Sequence, residues 1–213
     1  MFVADIAFDS LGNFFNAIPR TSPSRLSVCR ALVKLASDND EMDTLHMTPA
    51  DVNRWTNEWD VSQDEKTAFL KYVADAYSAV NKQYVSVLLH HYLLTDLCNA
   101  REIAFTYLQS YVQSIPPSSA AAKSAGLELL ASALRLPNTI DTGSLLRLEN
   151  VQALQGHPLY TLIQAFVKES LNEYKKWQTA NDASLREFGT LSTTQMAITT
   201  IGNFLLQASI KLN

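Results

Sequence analysis

With 213 residues, 47% of them apolar and 18% charged, the chain has material for one large domain or two small ones and needs neither metal nor disulfide to close a core. Its 6 glycines and 7 prolines are too few for the turn-rich build of a sandwich or barrel. A net charge of −4 with no basic cluster removes the counterion-release term that drives nucleic-acid binding, so no direct contact with nucleic acid is expected.

The opening MFVADIAF lacks a basic start, and Asp5 and Asp9 interrupt its apolar run, so it does not read as a secretory leader. It reads as a helix over about 3–17 whose packing partner lies upstream, with Ile6, Leu11, Phe14, Phe15 and Ile18 as its apolar side and Pro19 helping to end it. Ser22-Pro23 opens a second helix, serine capping the free amides and proline fitting the first helical position. Leu26, Cys29, Leu32, Val33 and Ala36 form its stripe, and Ser37-Asp38-Asn39-Asp40 closes it. Thr48-Pro49 repeats the start signal before a short helix with Val52, Trp55 and Trp59. Ser62 and Glu65 spell a capping box ahead of Phe69, Leu70, Val73, Tyr77 and Val80.

The stretch from Tyr84 to Leu97 is apolar nearly all round and is expected to be a helix packed on several sides. A separate helix is expected from about Ala100 to Val112. Pro116-Pro117-Ser118-Ser119 is the clearest break. An Ala-rich helix follows to about Leu136, with Leu127, Leu130, Ala131 and Leu134 facing inward. Two short helices fill 142–155, and Gly156-His157-Pro158 starts a long one reaching Trp177. Shorter helices follow over about 182–188 and from about Ser192. With no run of 18 apolar residues, nothing here is expected to span a membrane. The fold class is therefore all-α: about ten helices in a right-handed helical-repeat α-solenoid of the TPR or HEAT kind, with degenerate repeats.

No residue pattern points to chemistry. His90 and His91 diverge by about 100° on a helix and cannot share a ligand. Cys29 and Cys98 keep no metal or redox spacing and read as buried thiols in a reducing compartment. His157 could serve as a base, but a residue at a helix start is the plainer reading. Asp38, Asp40, Glu41 and Asp43 do not match a calcium loop and read as solvated. No catalytic residue, cofactor site or metal site is expected. The candidate interface residues are aromatic. Trp55 and Trp59 lie four apart on one helical face, where core packing competes with an anchoring role, and Tyr174 and Trp177 stand at the end of the long helix beside Lys175, Lys176 and Gln178.

Several segments, taken in order, resemble the helical region of PCI proteins. These are Leu11 to Asn16 followed by SPSRLSVCRALVKLAS, then Trp55 and Trp59 with the helix from Ser62 to Tyr77. Next come ALRLPNTIDTGSLLRLENVQAL, HPLYTLIQAFVKESLNEYKKWQTAN, and Phe188 to Leu191 with Met196. PCI proteins are scaffold subunits of the proteasome lid, the signalosome and translation initiation factor 3, and the order of segments is nearest to the subunit m family of the last. The resemblance implies N-terminal helices over 1–115 and the helical part of a PCI domain over 118–213, without the winged helix that follows in the family. The region from Val80 to Ser114 is longer than the family usually has.

The resemblance further implies a cytoplasmic, non-catalytic scaffold. Its partners would be the PCI subunits of initiation factor 3 and the MPN subunit f, with the small ribosomal subunit reached through the complex. A lid or signalosome subunit is the nearest alternative. An all-helical enzyme or ligand-binding bundle is the alternative of another class, and a buried polar pocket with strongly shifted titratable groups would favour it.

Overall fold

In a computed structural model, the protein is described for residues 2–84, 94–134, 136, 142–167, 177 and 179–181. Every regular element among these residues is helical: nine α-helices and one turn of 3-10 helix. They fall into two compact units, Met1–Ser114 and Ile115–Asn213.

The first unit begins with α1 (Phe2–Ala17), which packs on α2 (Ser24–Asp38) downstream rather than on the upstream partner the sequence reading expects. The turn between them is closed by Pro19, whose carbonyl accepts from Ser22 N–H. Of the stripe the spacing predicts on α2, Leu26, Cys29, Val33 and Ala36 are buried and Leu32 is half-buried, with Arg25 added to the buried set. The helix ends in a Schellman motif: Glu41 N–H reaches Ala36 O at 2.8 Å and Asp40 N–H reaches Ser37 O at 3.4 Å. That motif needs a left-handed residue, here Asp40 with φ 57° rather than the usual glycine.

After the 3-10 turn Met42–Leu45 comes α3 (Pro49–Glu58), started by a full capping box between Thr48 and Asp51 with proline in the first turn. The next helix, α4 (Gln63–Tyr84), is started by the Ser62–Glu65 box: Ser62 N–H donates to Glu65 Oε2 at 2.9 Å and Glu65 N–H to Ser62 Oγ at 3.3 Å. Phe69, Leu70, Val73, Ala74 and Tyr77 face inward from it. Then comes α5 (Leu94–Ser114), which packs along α4 and also meets α3. The sequence reading divides this stretch near 97–100, but the helix runs through. Cys98, Asn99, Ala100 and Arg101 include no proline or glycine to interrupt it.

The second unit is built around α6 (Ala120–Ala133), which packs against α8 (Glu149–Gln152) and α9 (Pro158–Val167), while α7 (Thr142–Leu145) packs on α9. Ser119 caps α6 through its hydroxyl. The inward face of α6 is Ala122, Ala125, Gly126, Leu129, Leu130 and Ala133, whereas Leu127 and Ala131 are half-buried. The face is turned toward the small residues because α8 comes close there. A Cβ on Gly126 would lie 2.9 Å from Leu154 Cδ1 and 3.1 Å from the carbonyl oxygen of Asn150. Asn150 is itself buried and donates from Nδ2 to the carbonyl of Ile115 at 2.9 Å. The chain turns into α9 through Gly156, whose φ of 90° favours glycine.

The helix expected to reach Trp177 is seen as α9 to Val167, and residues 168–176 lie outside the described residues. Trp177 Nε1–H donates to the carbonyl of Pro158 at 3.1 Å, 19 residues earlier. The expected helices over 182–188 and beyond Ser192 lie outside the described residues, as do His90 and His91.

Candidate interaction surface

The aromatic residues singled out by sequence have distinct placements. Trp59 follows the last residue of α3 in extended backbone, and its N–H still closes onto Trp55 O at 2.9 Å. Leaving the helix at this point brings the two indoles into near-parallel stacking, 6.3 Å apart at 23°. Phe15 of α1 approaches both, at 5.9 Å from Trp55 and 6.1 Å edge-on to Trp59. Phe69 of α4 closes the far side of Trp59 at 6.3 Å. Trp59 is only 2% exposed, and its indole N–H has no hydrogen-bond partner among the described residues. Trp55 stays half-buried at the edge of the cluster. In the second unit Trp177 is 8% exposed, its N–H shared between Pro158 O and Thr161 Oγ1. Tyr174 lies outside the described residues.

Arg25, 8% exposed, fastens this cluster from below. Its Nε donates to Ile18 O and its Nη2 to Phe15 O, each at 3.1 Å, and its guanidinium lies 4.4 Å from the centre of the Phe15 ring. One carbonyl in the last turn of α1, of the kind left without a partner in its own helix, and one just past its end are thereby satisfied by a cation suited to the negative end of the helix dipole. Sequence reading did not single out this residue. The available signal was an arginine in the first turn of α2, where its own helix dipole disfavours it.

A second set of contacts holds the segment between α2 and α3. Tyr77 and Tyr107 stack at 5.7 Å and 15°. Their hydroxyls donate to Met42 O at 3.5 Å and Met47 O at 3.2 Å. Burial raises both phenols, Tyr77 to about 12. The Cys29 thiol lies 3.8 Å from Met47 Sδ, and burial pushes it up to about 12. A thiol so raised is a poor nucleophile at neutral pH.

The remaining polar candidates are engaged in helix ends. His157 Nδ1 accepts from Leu159 N–H at 3.2 Å, and burial, helped by the Lys123 charge, holds its pKa below the usual value. Asp38 pairs with Lys34 at 2.8 Å. Among the described residues no three His, Cys, Asp or Glu side chains gather where a metal could sit. Large apolar side chains do reach solvent on α1, where Ile6 is 64% and Phe14 57% exposed. The sequence reading places them with Leu11, Phe15 and Ile18 on one side. The latter three are half-buried, whereas Ile6 sits roughly half a turn round the helix from Phe15 at about 100° per residue.

These helices have clear relatives in sequence. Subunit M of eukaryotic translation initiation factor 3 from Dictyostelium discoideum is 25% identical over 185 residues, covering 84% of this chain and 42% of the relative. The same subunit from Gallus gallus is 25% identical over 88% of the chain and 46% of its own length. That from Homo sapiens is 22% identical over the same shares.

The chain is a distant homologue of initiation factor 3 subunit M.

The homology runs through most of the chain and recurs from amoeba to vertebrates, so it does not rest on one shared helix. The chain spans less than half the length of these subunit M relatives. No family model matches it, and no solved structure matches it significantly. Among the described residues no helix is long and apolar enough to cross a membrane.

Proposed function

We propose that the protein is a non-catalytic, cytoplasmic scaffold subunit that joins an initiation factor 3 assembly and so supports recruitment of the small ribosomal subunit. One observation carries this reading: subunit M relatives of distant eukaryotes align with 84% and 88% of the chain at similar identity. A series of antiparallel helices in a right-handed solenoid suits the role, because such a stack offers long edges to several partners at once. The partners proposed are the PCI subunits of that assembly and the MPN subunit f, with the ribosome reached through them. Residues 1–115 would be the N-terminal helices and 118–213 the helical part of a PCI domain. Of the aromatic candidates, Trp55 is the proposed contact: it is half-buried on a rigid cluster, whereas Trp59 and Trp177 support their own units from within.

The test is native purification of the full-length protein from its own cells, with mass spectrometry of what accompanies it and a gradient for the small ribosomal subunit. Initiation factor 3 subunits at near-equal amounts, sedimenting in part with the small ribosomal subunit, are the expected result. Proteasome-lid or signalosome subunits in their place would overturn it. Trp55→Ala is expected to lower the yield of those partners at least several-fold while the purified variant keeps its helical circular dichroism. Unchanged recovery would remove Trp55 from the interface.

A further inference from the structure

We draw no further inference here: the strongest candidate, the exposed apolar face of α1 around Ile6 and Phe14, carries nothing because nothing in the structure shows what covers it.

Discussion

At the scale of single residues, the same substitution at two glycines should act with opposite sign. Gly12 in α1 has open space where a Cβ would go, so Gly12→Ala gains helix propensity, up to about 1 kcal/mol. Gly126 in α6 has Leu154 and the Asn150 carbonyl within 2.9 and 3.1 Å of that position. The leucine methyl can move, but the backbone carbonyl cannot without shifting α8. Overpacking of this kind costs about 1–3 kcal/mol, which outweighs the propensity gain, so Gly126→Ala should lose roughly 1 kcal/mol net. Urea midpoints of the two variants decide it, and a stabilised Gly126→Ala would mean that α6 and α8 are not in close contact. Arg25→Met should cost about 2–3 kcal/mol, since Phe15 O in the last turn of α1 and Ile18 O just past it lose a charged donor. Arg25→Lys should recover only part of this, because an ammonium cannot reproduce the fork that reaches both Phe15 O and Ile18 O. Full recovery by lysine would show that charge alone matters there.

At the scale of elements, α3 and α4 depend on carboxylates at their starts. Thr48 hydrogen bonds, led by that of its hydroxyl, hold Asp51 below its ordinary value of 3.8. Those of Ser62, led by its backbone N–H, hold Glu65 below 4.5. Groups whose pKa is lower folded than unfolded contribute stability above the unfolded value and lose it as pH falls through the folded one. Both boxes therefore act in full at neutral pH, and acidification weakens the Glu65 box below about 4.5 and the Asp51 box below about 3.8. Urea midpoints should fall between pH 5 and pH 3, and Glu65→Gln should flatten that fall while lowering stability at pH 7. A variant with the same acid slope as the parent would place the lost stability elsewhere. The exposed pair Lys34–Asp38 is a solvated i,i+4 contact and should matter little in raised salt.

At the scale of the whole molecule, Cys29 reports on the opening of the first unit. Its thiol is buried in the core against Met47, so labelling requires that unit to open rather than a local fluctuation of a loop. In a Cys98→Ser background, reaction with a thiol reagent at pH 8 should be at least about 100-fold slower in the native protein than in urea, in line with an opening free energy above about 3 kcal/mol. Addition of sub-denaturing urea should speed it as stability falls. Native labelling as fast as in urea would contradict the packing of α2 against α4 and the Met42–Met47 segment.

Periodicity and start signals made the helical class, the course of α2 and α4, the Thr48-Pro49 start and the Ser62–Glu65 capping box legible in the chain itself, because these depend on residues three or four apart. The ordered segments also pointed to the PCI relationship that the homology to subunit M bears out. What lay beyond that reach was decided by neighbours distant in sequence. Which side of α1 faces solvent, why glycine suits position 126, what Trp177 bonds to and what Arg25 holds all follow from contacts distant in sequence. A local pattern states how much apolar surface a helix has to bury. Only the assembled helices determine which part of it finds a partner.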